Sequence, residues 1–336
     1  MKILKYIGYG FGVLLLLVVV LIIAMPSQFT IVRKATIKAP KKVVYERVIY
    51  FKNFPKWSPW QDFDPKMTTS IKGEDGKVGA VYEWSGNDSV GKGTQSITAV
   101  TEERIDLDLH FITPFESHSK TDYVVKAISE VETEITWTLH TSLPRPLNIF
   151  GPIFNLEESV GKDYERGLTK LKTLCETYVA ENYRGGFEIV EFDFPERLYV
   201  VKKGSIKMTE IEKFYGVNFS KAVEEIKKAN LLMTTPPTGL YWVWDEAKGM
   251  VEMAAGFGAT GEVKGLETVK IPAQKAYKIA FYGPSSGTMK AHLAMDEYFK
   301  AKGFQQGLPV MEEYAADATT EKDSTKWLTN VVYFKK

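Results

Sequence analysis

The stretch Ile153–Tyr178, which reads IFNLEESVGKDYERGLTKLKTLCETY, decides the fold of the first part of the chain. Its apolar residues recur at steps of three and four, which is typical of one helical face about seven turns long: Ile153, Leu156, Val160, Tyr164, Leu168, Leu171, Cys175 and Tyr178. A strand over Phe29–Lys38 begins this part, and a helical turn follows it through Tyr50. The later segments are rich in β-forming residues and are separated by turn residues: 78–84, 90–100, 104–111, 119–128 and 132–141. We therefore predict a long helix on a strongly curved antiparallel sheet, whose interior is either filled by side chains or left as a cavity.

The composition is that of a packed globular protein. Of the 336 residues, 44% are hydrophobic and 25% are charged, which excludes a disordered chain. Lysine and arginine number 43 against 42 acidic residues, a formal charge of +1, so nothing indicates the basic face that nucleic acid requires. The single cysteine, Cys175, excludes an intramolecular disulfide and a cysteine-based zinc site. We expect no nucleic-acid partner.

The N-terminal residues indicate a membrane segment. Nineteen uncharged residues run from Ile7 to Met25, and as a helix they span ~28 Å, close to the ~30 Å hydrocarbon core. A cleaved signal peptide is the alternative, but the apolar run is longer than usual and no Ala-x-Ala site follows. We predict an uncleaved, single-pass anchor over residues 1–28. Basic residues flank both ends, so the expectation of extracytoplasmic domains rests mainly on the anchor's N-terminal position.

The rest of the chain divides at the turn Tyr183–Gly186 into two halves of single-core size, residues 29–184 and 185–336. In the second half, a succession of strand, helix and strands occurs twice, which predicts two α+β halves that share one sheet arrangement. We expect helices over 209–229 and 287–302. The expected strands cover 187–194, 198–205, 240–245, 250–255, 266–271, 276–282, 309–315 and 327–334.

Several motifs of the first half resemble those of the superfamily that unites START domains, birch-pollen allergens and polyketide cyclases (SRPBCC). They are Ala35–Pro40 (ATIKAP), Phe54–Trp60 (FPKWSPW), Val78–Trp84 (VGAVYEW) and Gly161–Leu168 (GKDYERGL). The resemblance implies a helix-grip fold around a cavity for lipids, hormones or polyketides, and only some members catalyse a reaction. Large aromatic residues are the candidates for lining this cavity, although they fill cores more often: Trp60, Trp84 and Trp137.

The second half resembles the gyrase-inhibitor-like, effector-binding domain of bacterial transcription activators. The matching stretches are Pro236–Tyr241 (PPTGLY), Tyr282–Pro284 (YGP), Tyr298–Gly303 (YFKAKG) and Pro309–Tyr314 (PVMEEY). In multidrug-binding members of that family, a buried glutamate and tyrosines hold aromatic, often cationic ligands. By resemblance, the ligand-binding residues are Glu312, Tyr314, Tyr241 and Tyr282. The chain departs from the family at one turn, where Ser285 replaces an aromatic residue and Tyr282 occupies a position that is often histidine.

The spacing of two of these residues is compatible with a binding role, but it is the family resemblance that favours this role over a surface position. Glu312 and Tyr314 are two apart on a predicted strand, so they project from the same face. A desolvated carboxylate there recognises a cation, and tyrosine rings hold it by cation–π contact. The alternative is an outward-facing charge, as expected for Glu313. The same alternation places Trp242 and Trp244 on the face opposite Tyr241.

Catalytic and metal signals are weak. Gly283–Gly287 matches the Gly-x-Ser-x-Gly pattern of a nucleophile elbow, but His292 is the one histidine downstream of Ser285 and the parallel βα pattern of hydrolases is missing. The four histidines show no metal-ligand spacing: His110, His118, His140 and His292. We expect no metal and no cofactor.

The sequence thus predicts a membrane-anchored protein that binds hydrophobic or amphipathic small molecules, including cationic ones, without a DNA-binding output. Two alternatives stay open. One is a small-molecule hydrolase or cyclase that uses Glu312 as acid or base together with Tyr282. The other is an interaction scaffold whose cavities are filled.

Overall fold

The computed structural model describes residues 2–336, with side chains from residue 6 onward. The chain divides into two compact units, which we call the first and second domains. The first ends at Ala180 and the second spans Glu181–Lys336. Each domain has its own antiparallel sheet, and the predicted α+β class is confirmed.

The N-terminal helix α1 spans Lys2–Ala24. Its segment Tyr6–Ala24 has 19 residues, and none of them is buried. The segment is therefore long and apolar enough to cross a membrane, a property that a signal sequence near the N-terminus shares.

The first domain contains a seven-stranded sheet in the order β1-β7-β6-β5-β4-β3-β2. The edge strand β2 has no counterpart in the sequence prediction, because all five of its residues are exposed and show no apolar alternation. The strands are β1 (Gln28–Ile37), β2 (Thr68–Lys72), β3 (Val81–Ser85), β4 (Lys92–Val100), β5 (Arg104–Thr113), β6 (Ser117–Ser129) and β7 (Glu132–Ser142).

The long helix of the first domain begins slightly later than its apolar pattern. Asn155 has a φ of +47°, a left-handed conformation that separates a short helix at Ile153 from the long one. The long helix buries one face, with Leu168, Leu171 and Cys175 at most 1% exposed. The helices are α2 (Lys41–Ile49), α3 (Phe54–Trp57), α4 (Trp60–Phe63), α5 (Phe150–Ile153) and α6 (Leu156–Asn182).

The second domain contains an eight-stranded sheet in the order β10-β15-β17-β16-β12-β13-β11-β14, and a two-residue hairpin, β8 with β9, precedes it. The helices are α7 (Ile211–Lys228) and α8 (Met289–Lys302). The strands are β8 (Tyr183–Arg184), β9 (Phe187–Glu188), β10 (Val190–Phe194), β11 (Arg197–Lys207), β12 (Thr238–Asp245), β13 (Met250–Gly258), β14 (Glu267–Ile271), β15 (Gln274–Tyr282), β16 (Gln306–Ala316) and β17 (Leu328–Lys335).

The sheet order shows the internal duplication directly. Two strands, a helix and two strands occur first as β10-β11-α7-β12-β13 and again as β14-β15-α8-β16-β17. The halves occupy equivalent places on either side of the β12–β16 junction, and each contributes its first strand to the edge of the other half. The middle of the domain is therefore where the two halves meet, and it positions the candidate site.

Candidate ligand-binding site

Glu312 lies on β16 at the junction of the two halves. In the β12–β16 register it faces Gly239, and Tyr241 lies two residues further along β12 on the same face. Its side chain is 5% exposed, so this carboxylate is among the few buried charged groups of the described chain. Such a group requires hydrogen-bond partners to be tolerated in the interior.

Those partners surround both carboxylate oxygens of Glu312. Tyr241 and Tyr314 donate their hydroxyls to Oε2, at 2.9 Å and 2.5 Å. The hydroxyl of Tyr215 lies 2.5 Å from that of Tyr241. Because the Tyr241 proton is used on Glu312, Tyr215 donates to Tyr241, and the three groups form a relay from α7 to the carboxylate.

His292 on α8 completes the arrangement on the other oxygen. Its Nε2 lies 2.9 Å from Oε1 of Glu312, and its Nδ1 lies 3.2 Å from the hydroxyl of Tyr333. Since the carboxylate only accepts, Nε2 carries a hydrogen and donates it. Both ring nitrogens are thus engaged, and the glutamate fixes the orientation of the imidazole.

The environment favours ionised Glu312. Burial pushes its pKa upward, but the hydrogen bond and charge of His292, with hydrogen bonds from Tyr314 and Thr288, outweigh burial and lower the pKa below its ordinary value of 4.5. Burial, together with the negative charge of Glu312, raises the pKa of Tyr241 and Tyr314 well above the ordinary value of 10. At neutral pH the tyrosines therefore remain donors around a carboxylate anion.

A glycine makes the close approach of Tyr215 possible. A Cβ atom built on Gly239 would lie 2.1 Å from the Tyr215 hydroxyl oxygen, which is far inside van der Waals contact. Gly239 belongs to the PPTGLY stretch that carries the family resemblance. Its role here is to leave space beside Glu312 for a hydroxyl from the helix of the other half.

The cluster lies in the wall of a cavity of about 1110 Å³ in the second domain. Drug-sized ligands occupy pockets of roughly 300–1,000 Å³, so the space is sufficient for one. Aromatic rings form much of the wall: Tyr215, Phe219, Tyr241, Trp244, Tyr314 and Trp327. The lining residues that the structure describes include five carboxylates and neither lysine nor arginine: Glu212, Glu246, Asp296, Glu312 and Asp317.

The prediction for Trp244 is wrong, and a β-bulge is the reason. The register of β12 with β13 shifts between Tyr241 and Val243, so one extra residue interrupts the alternation. The ring of Trp244 consequently lies 6.0 Å from that of Tyr241 in an edge-on contact. Trp242 also lines the cavity, and it packs against the core around Leu240 and lies under the ammonium of Lys203.

Tyr282 lies apart from the other predicted ligand-binding residues. Its side chain is 63% exposed and is not part of the cavity lining. It therefore does not pair with Glu312 as the enzyme alternative required. Ser285 lines the cavity, but His292 directs its two ring nitrogens to Glu312 and Tyr333, so the serine lacks the base that a nucleophile elbow needs.

Of the three tryptophans predicted for the helix-grip cavity, two come together in a packed cluster and the third lies apart. Trp137 is 2% exposed and stacks on Tyr164 at 3.7 Å, and Trp60 contacts both rings edge-on. Gly167 allows this packing, because a Cβ there would lie 2.9 Å from the Trp137 ring. Trp84 lies elsewhere, against Phe111. Side chains thus fill the interior of the first domain around Trp60 and Trp137.

The structure also brings together three potential metal ligands whose spacing in the sequence did not predict a metal site. His110, Glu116 and His118 have potential ligand atoms within 4.8 Å of one another at the β5–β6 hairpin. The two imidazole rings stack at 4.1 Å with an angle of 11° between their planes. Since imidazole lone pairs lie in the ring plane, rings in this arrangement do not converge on one ion.

Sequence reasoning missed Tyr215 and His292 as members of the site. His292 lies one helical turn after Thr288, the residue that precedes α8, so the two lie on the same side of the helix. Tyr215 lies near the start of α7, the equivalent helix of the other half. The duplicated order predicted two helices at the junction, but the sequence offered no signal that a side chain from each reaches Glu312.

Comparison with known proteins finds one family match, which lies in the first half of the chain. Residues 28–176 match the family "Polyketide cyclase / dehydrase and lipid transport". No curated protein matches the chain. This match agrees with the SRPBCC resemblance recognised from the first half of the sequence.

Three similar solved structures each cover less than half of this chain. The EcmrR C-terminal domain is 18% identical, with 45% of this chain and 98% of that chain covered and a TM-score of 0.40. A START superfamily protein from Mycobacterium smegmatis is 15% identical, with 44% and 97% covered and a TM-score of 0.33. For Ara h 8.0201 the identity is 15%, the coverage is 46% and 99%, and the TM-score is 0.32.

Proposed function

We propose that this protein is a membrane-anchored receptor whose second domain reversibly binds lipophilic or amphipathic cations. The observation that carries the proposal is the buried, ionised Glu312 in the wall of a cavity with aromatic rings and without lysine or arginine among its described lining residues. A small-molecule-binding role is consistent with both recognised domain families.

Charge selects the ligand class. Five carboxylates line the cavity, and their field attracts cations and repels anions. Glu312 is buried where the dielectric constant is low, so its attraction for a bound cation exceeds that of an exposed carboxylate.

The aromatic walls select for size and polarity. Tyr215, Phe219 and Tyr314 pack edge-on or stacked with ring centroids 4.8–6.2 Å apart, which presents ring faces and edges to the cavity. Ring faces attract cations, and their area favours apolar groups around the charge. A compact inorganic cation would leave most of this surface in water.

The donors around Glu312 organise the site before a ligand binds. The hydrogen bonds from Tyr241, Tyr314 and His292 hold the carboxylate in one orientation, so a ligand does not bear the entropic cost of ordering it. The same donors keep the Glu312 carboxyl group ionised, so Glu312 is suited to attract a cation and not to donate a proton. We therefore place ligand binding ahead of the acid-catalysis alternative.

The remaining parts have distinct proposed roles. Helix α1 holds the chain at a membrane, where lipophilic cations concentrate, and is retained in the mature protein. The first domain acts as a packed scaffold, since side chains occupy its interior around Trp60 and Trp137. No nucleic-acid-binding output is proposed.

A pair of ions with the same shape and opposite charge tests the function. The full chain in detergent micelles is heated with tetraphenylphosphonium or with tetraphenylborate. We expect stabilisation by the cation alone, about 2.7 kcal/mol at 100 times its Kd. Equal stabilisation by both ions, or by neither, would contradict cation recognition.

A further inference from the structure

A short segment of the first domain between β7 and α6 exposes a cluster of apolar side chains. Four large apolar side chains are exposed within eight consecutive residues of this segment: Leu147 (50%), Phe150 (43%), Ile153 (62%) and Phe154 (71%). Phe150 and Phe154 stack on each other at 5.7 Å. We call these four residues the apolar collar. A cluster of this kind marks an interaction surface more often than isolated exposed residues do.

The segment that carries the collar is tied to the C-terminal end of α1. Arg145 donates from Nε to the carbonyl of Ile22 at 3.1 Å and from Nη2 to that of Ile23 at 3.2 Å. Asn148, whose side chain is fully buried, donates from Nδ2 to the carbonyls of Ile22 and Met25, both at 2.9 Å.

These bonds satisfy carbonyl groups that a helix end leaves unpaired. The guanidinium of Arg145 also lies at the negative end of the α1 dipole, where a cation is favoured. Two further contacts fix the segment beside the start of β1: the Leu143 amide donates to the Ser27 carbonyl at 2.9 Å, and Gly151 packs directly on the Phe29 ring. The collar is therefore held at a fixed place beside the last turn of α1.

We propose that the apolar collar inserts into the lipid surface at the point where α1 leaves the bilayer. The proposal rests on the anchoring role of α1 in the proposed function. The collar is connected through Arg145 and Asn148 to the helix that has the length and composition of a membrane span, so the membrane boundary is the apolar environment nearest to it. Phenylalanine, leucine and isoleucine are side chains that interfacial segments bury at this boundary.

Insertion would give the first domain one orientation on the membrane. A single flexible anchor leaves the following domain free to rotate, whereas α1 capped by Arg145 and Asn148 together with an inserted collar provides two points of attachment. The β6–β7 turn at Val131 lies at the other end of β7, about 33 Å of strand away, and would face water.

An environment-sensitive label tests the proposal on the full chain in phosphatidylcholine vesicles. Phe154→Cys carries the NBD fluorophore, and the control Val131→Cys carries it at a side chain that is also well exposed, 60%. Cys175 is buried and is replaced by serine in both variants.

We expect blue-shifted emission at position 154 and loss of about half or more of its fluorescence to spin-labelled lipids, since interfacial side chains lie ~5–10 Å deep. The label at position 131 stays unshifted and unquenched. Equal water exposure at both positions, with the protein on the vesicles, would overturn collar insertion and leave the anchor intact. A blue shift at 154 without lipid quenching would indicate a protein partner or a second copy instead, and would also overturn it.

Co-flotation with vesicles distinguishes a failure of collar insertion from a failure of membrane anchoring by α1. Vesicles that float without the protein would contradict membrane anchoring by α1 and the collar with it. Leu147→Ser with Ile153→Ser provides a further readout, because it removes two exposed side chains and spares the bonds to α1. We expect this variant to float with vesicles while the label at 154 becomes more exposed to water.

Discussion

The interiors of the two domains contain similar aromatic residues, which pack against one another in the first domain and line a cavity in the second. In the first domain, Trp137 stacks on Tyr164, and its indole nitrogen donates a hydrogen bond to Thr121 at 3.0 Å. Both the ring and the polar atom of Trp137 therefore have partners within the protein. In the second domain, Tyr241 and Tyr314 direct their hydroxyls to Glu312 in the wall of a cavity. Aromatic content alone therefore does not distinguish a packed interior from a binding site. Each domain also buries a carboxylate, but Asp122 in the first domain pairs with Arg104, whereas Glu312 faces a cavity without lysine or arginine among its described lining residues.

The largest expected effect concerns the packed interior. Trp137→Ala removes a buried ring at the centre of the aromatic cluster and should destabilise the first domain by about 3–5 kcal/mol. Urea denaturation measures this change, and the affinity for tetraphenylphosphonium in the native protein should be unaffected. Trp84→Ala is the matched control and should cost less, because Trp84 is only partly buried. A loss of cation binding in native Trp137→Ala would contradict the division of roles.

The next effect concerns the charge in the second interior. Glu312→Gln keeps the size of the side chain and removes its charge, so the affinity for tetraphenylphosphonium should fall by about 2 kcal/mol, or roughly 30-fold. The neighbouring Glu313→Gln is the control, since Glu313 pairs with Arg197 at 2.6 Å from the opposite face of the strand. Equilibrium dialysis measures both affinities. Equal losses in the two variants would show that general charge, and not Glu312, attracts the ligand.

Adding a methyl group beside the carboxylate should have a smaller effect. Gly239→Ala places its Cβ on the hydroxyl of Tyr215 and should destabilise the second domain by about 1–3 kcal/mol while weakening ligand binding. Gly216→Ala, one residue from Tyr215 on an exposed helical position with nothing within 4 Å, should stabilise α7 by up to ~1 kcal/mol. Thermal unfolding compares the two variants. If Gly239→Ala left the stability and the ligand affinity unchanged, Tyr215 would be free to move away from Glu312.

The smallest effect is confined to acidic pH. The pKa of Glu312 is lower in the folded protein than its ordinary 4.5, so ionised Glu312 contributes stability above pH 4.5, and this contribution disappears as the pH falls through the lowered pKa. Tetraphenylphosphonium affinity should fall over the same range because protonation neutralises the site. Titration from pH 7 downward measures the decrease. If Glu312→Gln showed the same pH dependence as the wild-type protein, the titrating group would be one other than Glu312.

The sequence predicted the features that depend on local patterns. Alternation and helical spacing located the curved sheet, the long helix and the pairing of Glu312 with Tyr314 on one face. The bulge near Tyr241 escaped prediction, because one inserted residue reverses all later side chains and leaves no clear signal in WVWD. Whether an interior is packed or open depends on contacts such as Gly167 with Trp137, between residues 30 positions apart. Tyr215 and His292 reach Glu312 through tertiary packing of two helices, which spacing does not encode.

Isothermal titration of the full chain with tetraphenylphosphonium tests whether Glu312 recognises the cation, with wild type, Glu312→Gln and Trp60→Ala measured in parallel. We predict a single site in the wild-type protein, a large loss of affinity in Glu312→Gln and an unchanged affinity in Trp60→Ala. Binding that survives in Glu312→Gln and disappears in Trp60→Ala would place the ligand in the first domain and contradict the account.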